Sequence, residues 1–417
     1  MRAVGLITEY NPFHNGHLHH LRESRKAAGA EVAVAVMSGH FLQRGEPALV
    51  DKWTRAEMAL RAGVDLVLEL PFPWACNSAP HFAAGAVRAL EALGGVEALC
   101  FGSEAGGIGP LQDCAELLQE RAEQIGEETA ALLRSGMGYP AARQRVVESL
   151  SGAGEAGEVL KTPNNILGIA YLKALREAGS SIRPLTVPRV GAGYHDAEAV
   201  GGIASATGIR RMFAEGREVA PFIPAAARSP LEQALASGRS LEPDHLYRLL
   251  LGRIFRGPSS LRSVYQVADG IENRICEAAE TASGYEELVD AVKSRHFTRT
   301  RIQRLLAYIL NEVGDDDMSA FLDAGPLYLH VLGFSGRGRS FLAACRKSLQ
   351  LPLVQNYSRV HAILKRHYGP DTERGRLAER MLALELRATR NYTLLLRQWP
   401  GGGRGLDFYR EAVFVEG

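Results

Sequence analysis

Five short apolar runs, separated by helical patterns, occupy the first 190 residues of this 417-residue chain. Short runs rich in Val, Leu and Ile are typical of strands that are buried on both faces. The runs are residues 3–7, 31–39, 65–71, 97–104 and 182–190, and the helical patterns are 18–28, 51–62, 77–94, 110–134 and 164–178. Strands that alternate with helices are joined by right-handed crossovers, so the pattern predicts an α/β fold with a doubly wound parallel sheet. Polar or glycine residues near four strand ends (9 and 11, 38–40, 102–104, and 189) are then expected to meet at one crevice.

The second half of the chain has a different character. Residues 218–230, EVAPFIPAAARSP, are rich in proline and alanine and predict a linker. Beyond them the pattern is mostly helical, over 243–255, 259–280, 284–293, 298–312, 338–349, 354–367 and 373–396. We therefore expect two domains, an α/β domain over 1–217 and a helical domain over 218–417.

Composition sets limits on the class of protein. The chain has 48 Lys and Arg against 47 Asp and Glu, so its net charge of +1 neither indicates nor excludes a nucleic-acid partner. Its five cysteines form no CxxC pair, which argues against a zinc site and fits a reducing compartment. The chain starts with a strand rather than a signal sequence, and no apolar run reaches transmembrane length. We expect a cytoplasmic protein without a membrane partner, and the sequence leaves its oligomeric state open.

The opening stretch GLITEYNPFHNGHLHHLRESRKAAG, residues 5–29, predicts an anion site. A strand leads through a glycine-bearing turn into a helix, and the N-terminus of a helix offers free N–H groups and a favourable dipole to phosphate. His14 and His17 can project to the same side, and Gly16 lets a ligand approach the backbone. The alternative is that His14 or Asn15 merely caps the helix.

The HNGH stretch resembles the HIGH motif of nucleotidyltransferases and class I aminoacyl-tRNA synthetases. Those enzymes are Rossmann-like and cleave ATP between its α- and β-phosphates. GGIASATGIRRMF, residues 201–213, is similar to their second signature, although an alanine separates its serine and threonine, which are adjacent in the commoner pattern. The resemblance implies five catalytic residues: His14, His17, Ser205, Thr207 and Arg210. Taken as plain sequence, the serine of SATGIRRMF could also be an ordinary helix cap.

A closer resemblance, to the tRNA(Met) cytidine acetate ligase family, covers nearly all of the first half. Segments that carry it are AVGLITEYNPFHNGH, AVMSGHFLQRGEPALVDKWTRAEMAL, LVLELPF, FGSE, PNNILGIAYLKAL and AGYHD, with VADGIENRI and RHFTRTRIQRLLAYILNE in the second half. The resemblance implies that ATP and acetate give acetyl-adenylate and pyrophosphate. The acetyl group then passes to the exocyclic amine of the wobble cytidine of elongator tRNA(Met), giving N4-acetylcytidine and AMP.

The same resemblance implies the ATP-binding residues. They are Ile7, Thr8, Glu9, Tyr10, Asn11, Pro12, Phe13, His14, Asn15, Gly16, His17, Leu18, His19, His20, Gly102, Asn164 and Arg189. From the residues alone, Gly102 could be a turn glycine, Asn164 a helix cap and Arg189 a surface ion-pair partner. Further candidates for phosphate, acetate or tRNA contacts are Arg44, Lys52 and Arg55. We expect Mg²⁺ on the pyrophosphate, with protein ligands that the sequence does not identify.

The most concentrated basic stretch is KSRHFTRTRIQR, residues 293–304. Its cations are candidates for tRNA phosphate contacts: Lys293, Arg295, Arg299, Arg301 and Arg304. A solvated helix face is the alternative. Two other functions stay open at this stage, an adenylyltransferase acting on a small phosphorylated metabolite and a non-catalytic tRNA-binding protein.

Overall fold

The computed structural model describes residues 1–151, 156–189, 202–294, 297–399, 401 and 403–416. Within them, eight strands form one sheet in the order β5-β4-β1-β2-β3-β6-β7, with β8 also paired to β6. The strands are β1 Ala3–Thr8, β2 Val32–Ser38, β3 Leu66–Leu70, β4 Val96–Ser103, β5 Arg183–Pro188, β6 Leu329–Ser335, β7 Leu353–Val354 and β8 Val413–Val415. β1 to β5 run parallel and β6 runs antiparallel to β3. The predicted α/β sheet is confirmed, with this one antiparallel pair as an addition.

The helices of the first half cover both faces of the sheet's buried strands. They are α1 Asn15–Ala28, α2 Lys52–Arg61, α3 Phe72–Ala75, α4 Ala79–Leu93, α5 Gly109–Glu120, α6 Ala122–Arg134, α7 Tyr139–Ser151, α8 Pro163–Glu177 and α9 Ala206–Ala214. The predicted helix over 110–134 is two helices, because the chain leaves helical geometry at Arg121.

The second half is mostly helical, as predicted. Its helices are α10 Ala225–Ala236, α11 Pro243–Ile254, α12 Pro258–Leu261, α13 Ile271–Thr281, α14 Tyr285–Val292, α15 Arg299–Leu310, α16 Asp315–Ala324, α17 Gly336–Cys345, α18 Val360–Tyr368, α19 Glu373–Leu394 and α20 Leu406–Tyr409. None of the helices in the described part of the chain is long and apolar enough to span a membrane.

The linker predicted over 218–230 is wrong from residue 225 onward. α10 starts inside it and packs on α2, burying Ala227, Leu231 and Ala234. The alanines that suggested a linker are good helix formers with a buried face. Local composition did not reveal this burial, because the partner helix lies about 170 residues earlier in the chain.

The second half also supplies three strands of the sheet, which the sequence pattern did not predict. β6 pairs antiparallel with β3, and the following helix α17 approaches the start of β3 closely, since a Cβ on Gly338 would lie 1.8 Å from the carbonyl oxygen of Asp65. The division into domains at residue 217 remains a prediction. The sheet nevertheless takes strands from both sides of that position.

A buried ion cluster links α2, β3 and α20. The Lys52 ammonium, fully buried, donates to both carboxylate oxygens of Glu69, at 2.8 and 2.9 Å, and to Asp407 at 2.6 Å. Although burial alone would lower the pKa of Lys52, the carboxylates of Asp407 and Glu69 raise it above its ordinary value. Arg55 is also fully buried and donates to the backbone carbonyls of Glu9 and Ser38. The proposed phosphate, acetate or tRNA contacts of Lys52 and Arg55 are therefore wrong, because both cations serve the fold.

Candidate functional site

A cavity of about 450 Å³ opens at the carboxyl ends of the parallel strands. Strand ends predicted to meet there do so at Glu9 and Asn11 after β1, at Gly102 in β4 and at Arg189 after β5. The end of β2 is an exception, since residues 38–40 do not line the cavity. His40 is instead buried and stacked on Tyr392, with 4.3 Å between the ring centroids.

The start of α1 is organised by its two histidines. His14 is the N-cap, and its Nδ1 accepts from the Gly16 N–H at 3.0 Å. The Nδ1 of His17 accepts from the His14 N–H at 3.3 Å, so the pair forms a capping box with histidine in place of glutamate. A neutral imidazole that accepts at Nδ1 carries its proton on Nε2. Both rings line the cavity, 3.7 Å apart between centroids, and bring two N–H donors to a helix N-terminus.

The capping alternative is therefore confirmed for His14, and its ring also lines the cavity, as the functional interpretation requires. Asn15 does not cap the helix, because its side-chain amide donates to the carbonyls of Gly202 and Pro221 at 3.0 Å each. These two bonds fix the start of α1 against the segments that precede and follow α9.

Burial keeps the histidines of this site neutral. It lowers the pKa of His14 to about 3 and that of His20 to about 4, together with the nearby charge of Arg189 as a smaller cause. Burial also lowers the pKa of His17, with His14 as the next cause. At neutral pH each ring is therefore neutral, and the bonds accepted at Nδ1 place the protons of His14 and His17 on Nε2.

These pKa shifts predict acid sensitivity of the fold. Below about pH 6.5 the unfolded chain protonates these histidines while the folded chain does not, so the free energy of unfolding falls as the pH falls. Each histidine contributes about 1.4 kcal/mol per pH unit from pH 6.5 down to its folded pKa. We expect His14→Asn, which keeps a good N-cap, to show a smaller loss than the wild type between pH 7 and pH 5 in urea unfolding. An identical pH dependence in the two proteins would contradict this assignment.

A second helix N-terminus faces the same cavity. Ser205 is the N-cap of α9 and accepts from the Gly208 N–H at 3.0 Å, which confirms the cap alternative, and both Ser205 and Thr207 line the cavity. Arg210 donates to the Asn11 carbonyl at 2.9 Å, to Glu46 at 3.1 Å and to Thr207 at 3.4 Å. The two motifs, about 190 residues apart in sequence, are thereby joined by direct hydrogen bonds.

Gly102, Asn164 and Arg189, which the resemblance implies as ATP contacts, also lie together at the cavity. Arg189 donates to the side-chain oxygen of Asn164 at 3.2 Å, and a Cβ on Gly102 would lie 3.2 Å from Arg189 Cγ. Asn164 in turn donates to Glu104. The cap alternative for Asn164 is wrong because Thr162 precedes α8, and Arg189 bonds an amide rather than a surface acid.

Several residues predicted for the site lie outside the cavity lining. They are Pro12, Phe13, Asn15, Leu18, Lys293, Arg299 and Arg301. Arg299 pairs with Glu286 and with Asp290, the latter at 2.9 Å, and Arg301 lies 4.7 Å over the ring of Phe297. Arg304 does line the cavity. Arg295 and the AGYHD segment lie outside the described residues.

The sequence analysis missed part of the lining. The loop after β2 adds Leu42, Gln43 and Glu46, and helices add Phe82, Tyr171 and Thr300. Arg44, a minor candidate from the sequence, also lines the cavity. The polar HFLQRGEP stretch at the carboxyl end of a predicted strand could have indicated this loop. The apolar wall carried no sequence signal, since Phe82 and Tyr171 belong to ordinary helical core patterns.

Comparisons with known proteins agree with this geometry. The family model of the HIGH nucleotidyl transferases matches residues 1–401. A tRNA(Met) cytidine acetate ligase of Syntrophotalea carbinolica is 62% identical over 416 residues, covering 100% of this chain and 99% of the relative. A second ligase of that name, from Acetivibrio thermocellus, is 42% identical and covers 86% of this chain and 89% of the relative.

A solved structure is similar over the full length. The crystal structure of Thermotoga maritima TmcAL bound with alpha-thio ATP has a TM-score of 0.91 and 34% sequence identity, and the match covers 100% of both chains. An apo form of the same Thermotoga protein gives a TM-score of 0.93. The cavity with its two histidines, second capped helix and Arg210 agrees with these matches. The chain therefore belongs to the HIGH nucleotidyl transferase family and, within it, to the tRNA(Met) cytidine acetate ligases.

Proposed function

We propose that this protein is an ATP-dependent ligase that activates acetate as acetyl-adenylate and transfers the acetyl group to the wobble cytidine of elongator tRNA(Met). The products are N4-acetylcytidine, AMP and pyrophosphate. One observation carries the proposal: two helix N-termini face one cavity. His14 and His17 lie at the start of α1, and Ser205 and Arg210 belong to the start of α9. Full-length similarity to ligases of that name supports it.

Adenylation needs stabilisation of a charged phosphorus centre. An acetate oxygen attacks the α-phosphorus while the bond to the β-phosphate breaks, and negative charge spreads over the phosphate oxygens. The Nε2–H groups of His14 and His17 donate to those oxygens, and the dipoles of α1 and α9 favour the same charge. Arg210, already oriented by Asn11 and Glu46, supplies a fixed cation. These donors need no protonation step, because the histidines are neutral.

The remaining ATP contacts are proposed for the Gly102, Asn164 and Arg189 group. Gly102 leaves room for the nucleotide to lie against the end of β4, and Asn164 and Arg189 offer hydrogen bonds to the base or ribose. Mg²⁺ is expected to enter with the triphosphate. Among the described lining residues Glu9 and Glu46 are the only carboxylates, and Glu46 is bonded to Arg210, so the lining does not form a metal cage. Phosphate oxygens are then the main metal ligands.

The tRNA is proposed to approach over α15. This helix places Thr300 and Arg304 in the cavity lining, so the helical half borders the catalytic centre. Of the basic stretch, Arg304 is better placed for the tRNA than Arg299, because Arg304 lines the cavity and the charge of Arg299 is offset by Glu286 and Asp290. Lys293 and Arg295 remain candidates for the same role. A tRNA substrate also places the protein in the cytoplasm.

The test is incubation of the full chain with ATP, labelled acetate and bacterial tRNA, followed by nucleoside analysis. We expect label in N4-acetylcytidine of tRNA(Met) only, with one AMP and one pyrophosphate formed per acetyl group. Reactions without ATP, or with acetyl-coenzyme A in place of ATP and acetate, are expected to give none. Labelling from acetyl-coenzyme A alone would overturn the adenylate mechanism. Transfer of AMP to a small phosphorylated metabolite, without acetylation, would favour the adenylyltransferase alternative.

A further inference from the structure

One group of lining residues has no role in the ATP chemistry described above. Glu9 at the end of β1, Gln43 in the following loop and Arg304 on α15 belong to it. The Gln43 N–H donates to Glu9 Oε1 at 2.8 Å. The same loop touches α15, because a Cβ on Gly45 would lie 2.3 Å from the backbone nitrogen of Arg304. The loop thus contacts Glu9 and the backbone of Arg304, and both residues line the same cavity.

The Glu9 carboxylate is poorly suited to hold a triphosphate, since like charges repel. Only its Oε1 accepts a hydrogen bond from a described residue, so Oε2 retains acceptor capacity at the cavity. Burial raises the pKa of Glu9, an effect that Glu46 increases and that the Gln43 N–H, Arg210 and Arg44 oppose. A raised pKa makes a carboxylate a stronger base, so this group is suited to an uncharged ligand with an N–H to donate.

Arg304 offers the complementary chemistry. Its Nε is buried and has no hydrogen-bond partner among the described residues. The guanidinium also carries terminal N–H donors, and because Arg304 lines the cavity, a ligand with an acceptor oxygen or nitrogen can accept a hydrogen bond from them. Leu42 and Phe82, which are 3% and 2% exposed, form an apolar wall of the same cavity. Such walls exclude water, which would otherwise hydrolyse an acyl-adenylate.

Cytosine presents the matching pattern of groups. Its N4 amine donates, while N3 and O2 accept, and carboxylate to cytosine N4 is a standard pairing of side chain and base. Uracil has a carbonyl oxygen, an acceptor, at the position of the cytosine amine. Two acceptors, this oxygen and the carboxylate, would then face each other without a proton between them. We propose that Glu9 and Arg304 form the subsite for the wobble cytosine, with Glu9 as the general base of acetyl transfer. This inference rests on the proposed function.

The step balances without any further reactant. The N4 lone pair attacks the acetyl carbonyl carbon, the N4–C bond forms, and the bond from that carbon to the adenylate oxygen breaks. AMP leaves with the electron pair of the broken bond. One N4 proton passes to Glu9 Oε2, and the acid returns this proton to water after the product leaves. Arg304 holds the base by O2 or N3 and does not change its protonation state.

The test separates the two half-reactions in the full chain. Adenylation is followed by acetate-dependent exchange of labelled pyrophosphate into ATP, and transfer by a single turnover of labelled acetyl-adenylate with a tRNA(Met) transcript. We expect Glu9→Gln to slow transfer by a factor of about 100, as for loss of a general base, and to slow exchange by less than about tenfold. The acidic limb of the wild-type transfer rate against pH is expected to disappear in Glu9→Gln.

Glu46→Gln is the matched control, because it changes a second lining carboxylate that bonds Arg210. It is expected to lower exchange and transfer in the same proportion and to keep the acidic limb. Equal losses in both reactions for Glu9→Gln, or an acidic limb that persists, would overturn the subsite while leaving the proposed function intact. Absence of acetate-dependent exchange in the wild type would overturn the proposed function, and the subsite with it.

Discussion

Replacing His17 by alanine is expected to slow acetyl-adenylate formation by a factor of about 100 or more. This is the usual effect of removing one donor that stabilises the charge of a transition state. The change removes the Nε2–H at the start of α1, next to the dipole of that helix. Acetate-dependent exchange of pyrophosphate into ATP measures the effect directly. Saturating ATP is used so that the assay reports the rate of adenylation and not the binding of ATP.

Two control variants isolate the donor from the cap. His17→Asn keeps an oxygen that can accept from the His14 N–H, so it preserves the capping box while changing the donor. His361→Ala removes an imidazole that is 62% exposed and bonded to Glu379, and is expected to exchange pyrophosphate at the wild-type rate. A folded His17→Ala protein with wild-type exchange would contradict the catalytic assignment.

Lys52→Met is expected to lower the free energy of unfolding by about 3–5 kcal/mol, because it leaves buried carboxylates without their cation. Glu69 and Asp407 are 2% and 0% exposed in their side chains, and both lose a hydrogen bond to Lys52 Nζ. Asp407 belongs to the last helix, so the loss also loosens the C-terminal segment from the sheet. Denaturant unfolding monitored by circular dichroism gives the size of the effect, through the midpoint and slope.

Two variants serve as comparisons for Lys52→Met: a change of a surface lysine, and a double variant that also removes one buried negative charge. Lys161 forms exposed ion pairs with Glu148 and Glu158, and Lys161→Met is expected to leave the unfolding midpoint unchanged. Lys52→Met combined with Asp407→Asn is expected to recover part of the loss, because one uncompensated charge is removed. Equal midpoints for Lys52→Met and Lys161→Met would show that the buried cluster does not stabilise the fold.

The first five strands could be predicted closely from the sequence. β2 was expected over residues 31–39 and is Val32–Ser38, and β5 was expected over 182–190 and is Arg183–Pro188. These runs are short, rich in branched apolar residues and bounded by breakers, so local pattern and tertiary burial agree. β6 was missed because a single strand among helical patterns has no local repeat to identify it, and its antiparallel partner β3 lies about 260 residues earlier.

Charged residues were the least predictable from sequence. Arg44 and Arg55 occur in one short motif, yet Arg44 lines the cavity and Arg55 is buried against backbone carbonyls. Arg299 and Arg304 are five positions apart on one helix, and only Arg304 reaches the cavity lining. A charged side chain follows whichever partner the folded chain brings near it, and the strength of that interaction depends on burial.

The sequence by itself determined the α/β alternation, the capped start of α1 that we propose as an anion site and, through its resemblance, both motifs of the candidate nucleotide site. Those features are local, since a turn, a cap and a helix dipole need only neighbouring residues. Tertiary structure alone decided that Arg210 bonds the Asn11 carbonyl, that Lys52 neutralises acids from β3 and α20, and that the loop after β2 contacts both Glu9 and the backbone of Arg304. Such contacts join residues up to 355 positions apart, and only the packing of the whole sheet and its helices determines which of them meet.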